Sequence, residues 1–302
     1  MFEKIVVPFV GSSFARKGAA LLLFCVGMSS ANVGSAAPLF FWKKQQKTHQ
    51  SLSQRFPAPR GAKRPMLRRY SFAWWLRRLP LLPPNAPVLL FNGQQKRRQD
   101  VHAAVVDLDI GKRDLQQCAD AVMRLWGEYL WSRKLAHQAD FHFLSGVRNP
   151  WVWWARGDRI RVNGETVVWR RRVARKNTSY ANYQRYLRFA MAWANTSSLV
   201  RQLRNIPIQE AQPGDLLLQG WRDGRYGHAV LLLDIAKDQQ GRTYFLLGQS
   251  YMPAQSFHIL RNPEKPDTAW FTFPYRGTIQ TPEWTFTTND LFRLPHTPTT
   301  QP

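Results

Sequence analysis

Two apolar runs in the last third of the chain constrain its fold most. "HAVLLLDI" opens at His228 and "RTYFLLGQS" at Arg242, with only "AKDQQG" between them. Short apolar runs bounded by turn residues read as strands, and so short a link lets two strands pair only antiparallel. If the hairpin turns around Gln239 and Gln240, facing residue numbers sum to about 478. His228 then lies across from Gln249, Ser250 or Tyr251. Upstream, "IQEAQPGDLLLQG" gives a third strand, opened by a Pro-Gly-Asp turn.

Helices come earlier. In "DLQQCADAVMRL", Asp114 and Gln117 have capping-box spacing, which predicts Asp114 as N-cap. Cys118, Val122, Leu125, Trp126 and Tyr129 follow on one face of a helix running to about Lys134. "YANYQRYLRFAMAWANTSSLVRQL" predicts a second helix, with Tyr183, Leu187, Met191 and Ala194 on one side. "WVWWARGDRIRVNGETVVWRRRV" reads as a hairpin turning at Asn163-Gly164. "HAAVVDLDIG" predicts a strand, and the prolines of "FAWWLRRLPLLPPNAPVLLF" exclude a long helix there. Helices followed by a small antiparallel sheet predict one α+β domain over residues 56–294.

The compartment follows from the N-terminus and the charge. Lys4, Arg16 and Lys17 precede "GAALLLFCVGM" and the small-residue stretch "SSANVGSAA". That order predicts a secretory signal peptide over residues 1–37; an uncleaved anchor is the other reading, although the apolar core is short for a membrane span. Residues 38–55 would be an exposed leader and 295–302 a disordered tail, with no membrane span after cleavage. Lys and Arg number 43 against 19 Asp and Glu, a net charge of +24, and the signal removes only three basic residues and one acidic one. Such a surface suits polyanions, and export counts against nucleic acid. The expected partner is therefore a cell-envelope polymer or lipid surface, met by a monomer in the periplasm or outside the cell.

Cleavage also removes Cys25, leaving Cys118 as a lone thiol. A lone cysteine in an exported chain forms no internal disulfide. At a helix start it is either a small buried hydrophobe or a nucleophile whose pKa the helix dipole lowers. A nucleophile needs a base and a group that orients the base. His228 opens its strand and is a candidate base, and Gln249 is a neutral amide able to hold an imidazole. Asp234 lies six residues along the strand from His228, roughly 20 Å at about 3.3 Å per residue, too far to serve.

A helix-start Cys, then "PGD", then "GHAVLLLD", then a polar residue on the next strand resembles the papain-like fold of bacterial cell-wall amidases and endopeptidases, the NlpC and CHAP groups. The resemblance implies Cys118 as nucleophile, His228 as base, Gln249 as orienter and Asp215 as a turn-former. It implies a cysteine hydrolase core with the Cys118 helix packed on a small antiparallel sheet, an extra helix and an inserted hairpin. Over about residues 51–293, "DLQQCADAVMRL", "GHAVLLLDI", "LLGQSYMPAQSFHIL" and "TPEWTF" resemble a secreted bacterial family known as domain of unknown function 4846. The chain departs from the cell-wall hydrolases at its "QQCADA" nucleophile setting and in its long insert before "PGD".

Gln116 or Gln117 could donate to an oxyanion beside the Cys118 amide. Arg170, Arg171, Arg172, Arg175 and Lys176 form a basic run suited to an anionic polymer or phospholipid. His137 with His142, and Asp107 with Asp109, match no metal spacing. No Gly-rich phosphate loop or zincin motif occurs, so neither cofactor nor metal is expected.

Overall fold

The two apolar runs do pair, at the centre of a sheet much larger than the sequence suggested. The computed structural model describes residues 38–42, 50–163 and 166–295. Its α-helices are α1 (Leu52–Arg55), α2 (Phe72–Leu76), α3 (Cys118–Ser132), α4 (Trp151–Ala155), α5 (Tyr180–Trp193) and α6 (Thr196–Gln202). Its strands are β1 (Ala62–Lys63), β2 (His102–Val105), β3 (Arg159–Asn163), β4 (Thr166–Arg170), β5 (Arg204–Asn205), β6 (Asp215–Gln219), β7 (His228–Asp238), β8 (Thr243–Gln249), β9 (His258–Leu260), β10 (Trp270–Thr272), β11 (Thr278–Gln280), β12 (Thr285–Thr287) and β13 (Leu291–Arg293). The protein is an α+β fold whose main sheet has nine antiparallel strands. Seven follow the order β2-β9-β8-β7-β6-β13-β5, with β1 added to β7 and β10 to β8.

Strand β7 is buried over nearly its whole length because the sheet is covered on both faces. Ala229, Leu231 and Leu233 point into a core shared with α2, α3 and α5. Val230 and Leu232 point the other way, toward Ile279 of β11, Phe286 of β12 and Ile206. Successive strand residues face opposite sides, so two cores require an unbroken apolar run. The β7–β8 register slips between Leu232 and Asp234, a bulge that bends the long strand. Gly248 of β8 lies beside the bulge, where a Cβ would stand 2.6 Å from Leu233 Cδ1. Helices α3 and α5 cross at Gly127, where an added Cβ would come within 2.6 Å of Leu187 Cδ2.

Several sequence expectations change. Helix α3 starts at Cys118 with Gln117 as its N-cap, not at Asp114. Asp114 is taken instead by the backbone N–H of Ala254 and by Gln117 Nε2. The second predicted helix breaks at Ala194, because Asn195 caps α6 by accepting from the Ser198 amide. "WVWW" is helix α4 rather than a strand: Trp151 and Trp154, three apart, bury against Tyr183, Tyr186 and Phe189. The hairpin itself is present as β3–β4, pairing Asn163 with Thr166. The stretch read as an exposed leader is partly packed. Leu39, Phe40 and Trp42 lie against the core, the Trp75 indole donates to Leu39 O, and Leu52 is buried. The expected signal peptide and residues 296–302 of the expected tail lie outside the described residues.

Candidate functional site

Gln117 adopts extended backbone, and its N–H donates to Asp120 Oδ2 at 3.0 Å, closing the first turn of α3. Cys118 is thus the first helical residue, nearer the free amides of the helix end than its sequence position suggested. The backbone amides of Ala119, Ala229 and Cys118 itself favour its thiolate. They do not prevail: burial first, and the neighbouring Asp120 second, push the thiol up to about 11. Asp120 is itself pushed up to about 8, mainly by burial and further by Asp114.

His228 begins β7, directly before Ala229, whose backbone amide favours the Cys118 thiolate. Its position depends on Gly227, since a Cβ there would lie 2.1 Å from Gln219 O and 2.4 Å from Thr196 Oγ1. No larger residue fits between β6 and α6 at that point. The imidazole is enclosed by aromatic rings, with Tyr251 at 4.8 Å, Trp284 at 5.1 Å and Phe286 at 6.0 Å between centroids. Burial lowers its pKa to about 4, with the Gln249 hydrogen bond opposing and the Lys96 charge assisting. The ring is therefore neutral at neutral pH. No hydrogen bond joins it to the Cys118 thiol among the described residues.

The sequence placed Gln249 across from His228, and the structure brings them together: His228 Nε2 lies 2.8 Å from Gln249 Oε1. Two residues the sequence reading missed extend the line. Gln249 Nε2 donates to Glu283 Oε2 at 2.8 Å, and Glu283 Oε1 meets Lys96 Nζ at 2.7 Å. Glu283 is held there by the β11–β12 turn, in which Thr281 Oγ1 donates to Trp284 O, and by the Trp284 indole donating to Gln219. An ionised carboxylate only accepts, so Gln249 must turn its NH2 to Glu283 and its oxygen to His228. That oxygen in turn requires a proton on His228 Nε2. Nδ1 is left as the basic nitrogen. The carboxylate thus sets the imidazole tautomer through an intervening amide.

Cys118 and Gly227 both line a cleft of about 300 Å³, with Trp221 and Tyr226 exposed at its lip. Gln117 also lines it, but its Nε2 is bound to Asp114. Gln116 is buried, with Oε1 accepting from Arg124 and Nε2 without a partner. Of the two amides proposed for an oxyanion, Gln117 lines the cleft and keeps one N–H of its NH2 beyond the bond to Asp114, whereas Gln116, with its Nε2 unpartnered, does not line it. Asp215 accepts from the Gln212 amide at the turn into β6 and pairs with Arg293. Arg170, Arg171, Arg172, Arg175 and Lys176 are exposed at and beyond the end of β4. Asp234 is buried and holds Arg64 and Arg77. His142 faces Asp140 at 3.7 Å, and Asp109 pairs with Arg124.

A family-wide match accounts for nearly the whole of this framework, from α1 to β13. The chain belongs to the family described as domain of unknown function 4846, which matches residues 52–293. Cys118, His228, Gln249, Glu283 and Lys96 all fall inside that span. No curated protein and no solved structure matches the chain.

The signal for Glu283 was present in "TPEWTF", where it is the one acid in a string that resembles the family. Lys96 sits in a basic run that gives no hint of burial.

Proposed function

We propose that this protein is an exported thiol hydrolase or acyltransferase acting on an amide or ester of a cell-envelope component, built on a papain-like core. The observation that carries the reading is the line from His228 through Gln249 to Glu283, which leaves Nδ1 as the basic nitrogen one residue from Ala229, whose backbone amide favours the Cys118 thiolate. Cys118 is the nucleophile, His228 the base and Gln249 the orienter.

In the reaction, His228 Nδ1 takes the thiol proton as Cys118 Sγ forms a bond to the substrate carbonyl carbon. The C–N or C–O bond breaks, and His228 returns the proton to the departing amine or alcohol. Water, or another hydroxyl or amine, then attacks the thioester while giving its proton to His228, which releases the acyl group and restores the thiol. The first-turn amides of α3, with the second N–H of the Gln117 NH2 at the cleft, suit the developing oxyanion. Holding thiol and imidazole both neutral at rest avoids a buried ion pair until a substrate carbonyl is present.

A second reading is a non-catalytic envelope-binding protein on a degenerate hydrolase fold. It is favoured by the raised thiol pKa and the missing Cys118–His228 hydrogen bond. p-Nitrophenyl acetate separates the two. The hydrolase reading predicts a stoichiometric burst of nitrophenolate with an acetyl adduct on Cys118, lost in Cys118→Ala and His228→Ala. No adduct on a folded protein whose thiol still accepts a small alkylating label would favour the second reading.

A further inference from the structure

The arm between α1 and α2 carries a second feature, separate from the cleft. No Asp or Glu occurs in the sequence between Glu3 and Asp100. An acid from elsewhere in the fold meets the arm and the end of α2: Asp234 of β7 binds Arg64 and Arg77, each at 2.6 Å. Those two bonds, one to the arm and one to the end of α2, use both carboxylate oxygens. The arginines on its outer side are left to aromatic rings. Arg78 lies 3.5 Å over Trp74, and Trp74 meets Tyr70 at 5.1 Å. Arg69 and Arg133 sit over Tyr70 at 4.8 and 4.4 Å. Arg68 is exposed beside them, and Met66 is 81% exposed.

Two details show that this face is held in place at a cost. Tyr70 has φ +65°, an unfavourable backbone for an aromatic residue, and its carbonyl is held by the Tyr129 hydroxyl. The Arg78 pKa is lowered by burial first and then by Arg77 and Arg69, so like charges crowd around it. Arginines stacked on interfacial aromatics beside a protruding apolar side chain match a lipid headgroup layer: phosphates above, acyl boundary within reach. A soluble polyanion would use the charges and leave Met66 in water. Leu39, Phe40 and Trp42 pack on or beside Trp75 of α2.

We propose that the face formed by Arg68, Arg69, Tyr70, Trp74, Arg78 and Arg133 docks the protein on an anionic phospholipid surface, with Met66 entering the headgroup layer. The proposal does not depend on the chemistry of Cys118.

The test is co-sedimentation of the full chain with phosphatidylcholine vesicles and with vesicles carrying phosphatidylglycerol, across a salt series. The readout is the ratio of the two partition coefficients. Arginines at an anionic surface are worth about fivefold each. Arg69→Gln/Arg78→Gln/Arg133→Gln should therefore cut the ratio roughly a hundredfold. Arg170→Gln/Arg171→Gln/Arg172→Gln, with the same loss of charge elsewhere, should change it much less. Met66→Ser should weaken vesicle binding while leaving dextran sulfate binding unchanged. Equal losses for the two triple variants would overturn the proposal, since net charge alone would then explain binding. So would a triple variant that loses dextran sulfate but keeps its vesicle ratio, or a Met66→Ser variant that binds vesicles as the parent does.

Discussion

Replacing Glu283 by Gln probes the residue that sets the His228 tautomer. Glu283 accepts from Gln249 at 2.8 Å and from Lys96 at 2.7 Å, with the Lys96 and Glu283 side chains about nine-tenths buried. Glutamine has nearly the same shape but only one acceptor oxygen. It can serve Lys96 or Gln249, and its NH2 then faces the other. Removing one partner of a buried pair costs about 3–5 kcal/mol, because the remaining charge stays buried without compensation. If the introduced amide keeps its oxygen on Lys96, its NH2 faces Gln249, whose own amide must flip. The Gln249 NH2 then faces His228 Nε2, which has to give up its proton to Nδ1. Urea unfolding of Glu283→Gln should therefore shift by about 3–5 kcal/mol. Nitrogen NMR of ¹⁵N-histidine-labelled protein should show His228 changing from an Nε2–H to an Nδ1–H ring. A folded variant with the parent's tautomer would refute the coupling through Gln249, whatever its stability.

Other expectations rest on separate parts of the fold. Asp120 has a pKa raised to about 8 against an ordinary value near 4, so its contribution is fully present below pH 4 and lost as pH rises through 8. Relative to Asp120→Asn, the parent should lose about 1.4 kcal/mol of stability per pH unit across that window and level off above it, read as the difference in urea unfolding free energies. The difference is the proper readout because His228 and His258, lowered to about 4 and 3, act in the opposite direction in acid. Gly227→Ala should cost about 1–3 kcal/mol in thermal unfolding, since its Cβ would meet backbone and Thr196 rather than a yielding side chain. Glu128→Gln should cost about 3 kcal/mol, because it leaves the buried Arg124 with Asp109 and the Gln116 amide alone and weakens the Tyr180 hydroxyl's shared donation to the carboxylate; a loss under about 1 kcal/mol would show that the Asp109 pairing suffices.

The centre of the sheet was legible because local signals agreed there. The β7 and β8 runs are apolar throughout and joined by a short polar turn, so pairing and approximate register followed from counting. That register was enough to bring Gln249 to His228. The helix start was legible only roughly. Asp114 and Gln117 have the right spacing, yet the Ala254 amide, 140 residues along, competes for the Asp114 carboxylate. Glu283 and Lys96 were out of reach for a related reason. They come from a short hairpin and an irregular loop far apart in the chain, and their meeting depends on tertiary placement. "WVWW" misled because aromatic residues favour strands until a helical spacing finds an aromatic core, here Tyr183 and Tyr186.

The central claim is that Cys118 and His228 act as one chemical unit. It is tested most directly by the pH dependence of Cys118 alkylation with iodoacetamide in the parent and in His228→Ala. A thiol pushed up to about 11 and an imidazole lowered to about 4 predict a parent rate that rises near pH 4 and stays level to neutral pH and beyond. In His228→Ala the neutral-pH rate should fall by about a hundredfold or more, the usual contribution of a general base, and recover only as pH approaches 11. Superimposable profiles for the two proteins, both climbing only toward pH 11, would mean that Cys118 is a buried hydrophobe and His228 is not its base.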